Sequence, residues 1–158
     1  MTEDAATPAT PDAPILLCYD GSESARRAID AAASLFPGRR AVVLDVAPLL
    51  TAGESLAAVS SVVPGTAFED LNTDDALRVA RDGAEHARAA RLEAEPRAET
   101  ASPTWEGIVT VADEIDAAVI VVGSRGLSGV REAFEGSLSH EVAEHASRPV
   151  LVVPPERS

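Results

Sequence analysis

The chain has 158 residues, with 13 basic and 26 acidic side chains and a formal charge of −13. Every basic residue is Arg, so lysine chemistry (a Schiff base, a P-loop ammonium, a kinase-type phosphate contact) is excluded. One cysteine, Cys18, excludes an intramolecular disulfide and a multi-cysteine zinc site, and a pI near 4.5 disfavours nucleic acid and anionic membrane as partners.

The opening MTEDAATPATPDAP has neither a basic n-region nor an apolar h-region, so residues 1–13 are expected to be a disordered lead-in, not a secretory signal. No apolar run reaches the ~20 residues a bilayer span needs. A cytoplasmic protein is the expectation. Residues 14–154 are expected to form one domain, and 155–158 a short tail.

Ile15–Tyr19 is continuously apolar and stops at Asp20-Gly21-Ser22, which suits a central strand covered on both faces. Ser22 opens a helical stripe of Ala25, Ile29, Ala32, Ala33 and Phe36, closed by Pro37-Gly38. Ala41–Val46 reads as a second buried strand. Residues 47–72, with Pro48, Gly53, Pro64 and Gly65, read as a variable loop with some helical character. Thr73-Asp74-Asp75 places carboxylates at a helix start, and that helix is expected to bury Leu77, Ala80, Ala84 and Ala87 and to stop at Pro96.

Arg97–Ala101 is a polar strand candidate. Ser102-Pro103 then sets a cap before a proline at the first helical position, with Trp105, Ile108, Val109 and Ala112 following. Ala117–Val122 is a clear strand, Ser137–Ala146 a helix, and Pro149–Val153 the last strand. Alternating apolar strands and helices predict an α/β fold, Rossmann-like, with an open five-stranded parallel sheet covered by helices on both faces. In the order 3-2-1-4-5 the last strand lies at a sheet edge, and a bare apolar edge recruits a partner strand. Ligands of such sheets sit beyond the strands' carboxyl ends.

The chemistry concentrates at one such end. Gly123-Ser124-Arg125-Gly126 follows a buried strand, and Gly136-Ser137 opens a helix. Glycines allow close backbone approach, helix-terminal amides cradle anions, and the Ser137 hydroxyl can donate to an anion oxygen. Arg125 and Arg131 add positive charge where the chain is least acidic: net −1 over residues 117–158, against −4 over 1–65 and −8 over 66–116. The pattern describes a polyphosphate site, although paired glycines at a strand end also suit ordinary turns. It matches neither the P-loop nor the dinucleotide fingerprint. His86, His140 and His145 share no ligand spacing, and the acids of 66–116 read as solvated helix faces.

Gly-x-x-Gly-x9-Gly-Ser, with an Asp closing the first strand, resembles the ATP-binding signature of the universal stress protein family. The resemblance spans Ile15–Ser24, Ala118–Gly126 and Gly136–Val153, nearly the whole chain. It implies the fold of the adenine nucleotide alpha hydrolase-like group. It also implies that Asp20 hydrogen-bonds adenine or ribose, with Cys18 and Tyr19 lining that pocket and Val46 holding the adenine. By the same resemblance Val122, Gly123, Arg125 and Gly126 form the ribose and phosphate loop, and Gly136, Ser137, Leu138 and Ser139 cradle the phosphates.

The implied ligand is ATP with Mg²⁺, and the implied assembly is a homodimer through Pro149–Val153. No catalytic residue and no protein-bound metal are expected, and the role is regulatory, with little or no hydrolysis. The alternatives are a slow ATPase or other ATP-using enzyme of the same fold, and an interaction dimer that binds no nucleotide. The sequence departs from the family at Asp45, where many members carry His, and at Cys18, where a smaller residue is common.

Overall fold

The computed structural model describes residues 10–49, 65–124 and 137–157. Five strands, β1 (Ile15–Cys18), β2 (Arg40–Ala47), β3 (Glu93–Thr100), β4 (Val119–Gly123) and β5 (Val150–Val153), form one parallel sheet in the order β3-β2-β1-β4-β5. This is the architecture expected from the sequence. Between the strands lie helices α1 (Glu23–Leu35), α2 (Gly65–Ala89), α3 (Thr104–Glu114) and α4 (Leu138–His145).

The period-2 geometry of a strand divides its side chains between two cores. Ile15, Leu17, Val43 and Val121 meet Ile29 of α1 and Ala84 and Ala87 of α2 on one face. Leu16, Leu44, Ile120 and Val122 meet Ile108 and Val111 of α3 and Val142 of α4 on the other. With five aromatic residues in the chain, the helices approach the sheet through alanine. Gly83 is a special case: a β-carbon there would lie 2.6 Å from the Tyr19 ring, so glycine makes room for that ring.

Four expectations are corrected. Helix α2 begins at Gly65, not at Thr73, because no Gly or Pro interrupts residues 66–82 and the carboxylates of Asp74 and Asp75 are tolerated inside an exposed helix. Its inward stripe is Ala76, Ala80, Ala84 and Ala87, with Leu77 only half-buried. It ends at Ala89, not Pro96: Arg91 turns left-handed at φ 72°, and the Leu92 amide returns to the Ala87 carbonyl at 3.0 Å. Pro96 lies inside β3, which begins at Glu93, ahead of the expected Arg97; an edge strand tolerates a missing N–H.

Two smaller shifts follow the same logic. Pro103 caps α3 and does not begin it, and the buried position is Val111, with Val109 half-exposed. The N-terminal lead-in is anchored before Pro14: Ala13 is buried, and its carbonyl accepts from Arg39 Nε at 3.0 Å. Most of the segment 47–72 lies outside the described residues. Among the described residues no helix is long and apolar enough to cross a membrane.

Candidate nucleotide cleft

Strand β1 is the switch point of the sheet. The chain leaves it through α1 for β2 on one side, and later returns to β4 on the other. Beyond the carboxyl ends of these three strands lies a small open cleft. Strand β1 and its extension supply Cys18, Tyr19 and Asp20 to its lining, β2 supplies Leu44, Asp45 and Val46, and β4 supplies Val122 and Gly123. Ala25 of α1, Thr104 and Ile108 of α3, and Leu138 of α4 complete it.

Asp20 shapes the turn out of β1. Its carboxylate accepts from the Ser22 amide at 2.9 Å, Gly21 takes φ 82°, and the Ser22 hydroxyl accepts from the Ala25 amide at 3.1 Å. The capped first turn of α1 therefore begins at the cleft. The neighbouring Tyr19 points the other way. Its hydroxyl donates to Asp82 at 2.5 Å and accepts from Arg26 Nε at 3.1 Å, which holds the Asp82 carboxyl below its usual range. Tyr19 borders the cleft while its ring packs in the α1–α2 core.

Burial, reinforced by Asp20, pushes the Cys18 thiol up to about 12, so it stays protonated and is a poor nucleophile. Asp45 is pushed up to about 6, mainly by burial and then by Asp20, against a lowering hydrogen bond from the Val46 backbone. A carboxyl raised in the folded state favours folding fully below its unfolded value of 3.8, and that contribution is lost as pH rises through about 6. Asp45→Asn is therefore expected to stabilise the protein by about 1 kcal/mol at roughly pH 7.5, allowing for its partial exposure, and by only a small fraction of that near about pH 4. Urea unfolding at the two pH values checks this; an equal shift at both refutes it.

Of the residues singled out from sequence, Cys18, Tyr19, Asp20, Val46, Val122, Gly123 and Leu138 meet in the cleft. Ser137 and Ser139 flank Leu138 at the start of α4, their hydroxyls 3.2 Å apart, and Ser137 caps the helix by accepting from the His140 amide at 3.3 Å. Arg125, Gly126 and Gly136 lie outside the described residues. Gly123 has a packing role the pattern did not show: a β-carbon there would stand 2.6 Å from Ser24 Oγ and 2.9 Å from the Ser24 carbonyl oxygen.

Ala25, Leu44, Thr104 and Ile108 were not identified from sequence. Thr104 could have been, because it opens a helix just beyond the carboxyl end of β3. The histidines stay at the surface: His86 contacts Asp30 at 2.8 Å, and His145 stacks on Trp105 with ring centroids 3.9 Å apart.

Fold and cleft together define a doubly wound α/β protein with an open cleft at the switch point of the sheet. The sequence profile of the universal stress protein family matches residues 13–154, and the chain belongs to that family. It is 31% identical over 147 residues to universal stress protein YxiE of Bacillus subtilis, covering 88% of this chain and 97% of the relative. The structure of the hypothetical protein MJ0577 superposes with a TM-score of 0.74 at 20% identity, covering 94% of this chain and all of that one. A universal stress protein solved in complex with cAMP superposes with a TM-score of 0.63 at 24% identity, covering 89% and 95%.

Proposed function

We propose that the cleft binds an adenine nucleotide, ATP carried with Mg²⁺, and that the protein is a regulatory, stress-response nucleotide binder with little or no catalysis. One observation carries this reading: three separated stretches, ending β1, β2 and β4, bring Asp20, Val46, Val122 and Gly123 to one cleft at the switch point. The cAMP complex of a structurally similar family member supports the ligand class. Asp20 accepts from ribose or adenine donors, Val46 offers backbone groups to the base, and the Gly-Ser segments receive the phosphates. Magnesium arrives as part of the ligand, held mainly by phosphate oxygens. The edge strand β5, with Val152 40% exposed, supports pairing with a second copy of the chain through Pro149–Val153.

Isothermal titration with Mg-ATP tests the reading. The natural chain is expected to bind, and Asp20→Asn to weaken binding by about tenfold or more. Asparagine keeps an acceptor for the Ser22 amide, so the α1 turn survives the substitution. Absence of binding by the folded natural chain overturns the proposal. Sustained phosphate release at enzyme-like rates favours the ATPase alternative.

A further inference from the structure

We propose that the stack of His145 on Trp105 is a positioning contact for the cleft: it clamps the short helix α4 to α3 and so sets where Ser137, Leu138 and Ser139 stand at the cleft's edge. The inference rests on the nucleotide reading above, and it gives control of the phosphate end to two residues outside the described lining.

Helix α4 does not hold its own place. Its eight residues are fewer than an isolated helix needs to persist in water. Within it only Val142 is fully buried, in the apolar cluster that holds Ile108 and Val111 of α3, and Leu138 packs partly against the same cluster. One buried side chain in the middle of a helix leaves it free to pivot, so the contacts at its ends decide its direction. At the far end from the cleft, that contact is the ring stack.

The stack is prepared from both sides. Trp105 is the second residue of α3, directly after the cleft-lining Thr104, and its half-buried side chain packs against the same cluster. His145 is the last residue of α4. Its Nδ1 donates to the Glu141 carbonyl at 2.9 Å, one turn back, which orients the ring from its own helix. The two rings lie face to face, 3.9 Å apart between centroids and 17° from parallel. At the other end of α4, Ser137 caps the helix and Leu138 lines the cleft beside Thr104 and Ile108. A two-turn helix about 12 Å long moves as one rod, so a swing at His145 displaces the Ser137–Ser139 segment.

His145→Ala removes the ring, and His145→Phe keeps a ring without Nδ1. The side chain is 39% exposed, so neither change opens the core. Isothermal titration is expected to show Mg-ATP binding about three- to tenfold weaker in His145→Ala, the worth of one aromatic stack, and within about twofold of the natural chain in His145→Phe. Adenosine has no phosphate to place and is expected to bind all three proteins within about twofold. Unchanged Mg-ATP affinity in His145→Ala, an equal loss for adenosine, or no rescue by His145→Phe overturns the inference and leaves the nucleotide reading standing. Two ligand-free measurements accompany these. Amide hydrogen exchange within α4 is expected to quicken about three- to tenfold in His145→Ala, with β1 unaffected, and an unchanged rate in α4 overturns the inference. Trp105 is the only tryptophan of the chain, so its emission is expected to change when His145 is replaced by Ala; unchanged emission overturns the stack itself. Failure of the natural chain to bind either ligand overturns the nucleotide reading, and the exchange rates then decide by themselves whether the stack holds α4.

Discussion

Gly123→Val is expected to lower stability by about 2–3 kcal/mol and to reduce Mg-ATP affinity more than about tenfold, even at temperatures where the variant is folded. A β-carbon at 123 would press on the carbonyl oxygen of Ser24 at 2.9 Å as well as on its hydroxyl at 2.6 Å. A hydroxyl can rotate away, but a carbonyl inside the first turn of α1 cannot move without that turn. The same turn presents Ala25 to the cleft, so a displacement that relieves the clash also reshapes the site. Gly38→Ala is the useful comparison. It has open space around it but a backbone at φ 72°, so it is expected to cost about 1 kcal/mol and leave binding intact. Urea unfolding and calorimetry on the two variants test the pair of effects; a Gly123→Val protein with unchanged stability would refute the packing role.

Leu16→Ala is expected to be the more damaging change to the fold itself, by about 2–5 kcal/mol, or a fall in Tm of roughly 5–15 °C. Leu16 is fully buried in the middle strand of the sheet, within the apolar cluster that contains Ile108, Val111 and Val142. Removing its side chain opens a void between sheet and helices that neighbouring strands, hydrogen-bonded on both sides of β1, cannot close. Leu35→Ala, at a residue 59% exposed near the end of α1, is expected to change stability by less than about 0.5 kcal/mol. Thermal melts followed by circular dichroism distinguish the two, and comparable Tm values would contradict the assignment of the core.

The sheet was legible in the amino-acid order because its central strands are buried on both faces and so must be continuously apolar, as Ile15–Cys18 and Val119–Val122 are. Strand β3 was only partly legible for the converse reason. At the sheet edge it needs little apolar surface, so Glu93–Thr100 carries charges and a proline that read as the end of a helix ahead of a shorter polar strand. The limits of α2 were misread because its stop is a left-handed turn at Arg91, a residue type with no preference for that conformation.

In the cleft, the residues next to strand ends were legible because the fold dictates where ligands bind. Leu44 and Ile108 reach the cleft through packing between elements far apart in the chain, and no local pattern marks them. The packing role of Gly123 was hidden in the same way: a glycine needed for helix packing and one suited to a ligand look alike in a string of letters. Asp45 was visible as a departure from the family's habit, but its proximity to Asp20 required the ladder between β1 and β2.

Tyr19 borders the cleft but turns its hydroxyl to the opposite side of the sheet, and so bears on how freely the cleft can adapt. Its ring is lodged against Gly83 and its hydroxyl is clasped by Asp82 and Arg26, so the backbone between Cys18 and Asp20 is fastened to α2 from behind. Under the proposed function, a ligand meeting Asp20 would find an acceptor already in place, with little ordering entropy left to lose there on binding. The rigidity of this end of the cleft is thus built on the opposite side of the sheet, and a lesion on α2 at Asp82 or Gly83 would loosen a cleft that neither residue lines.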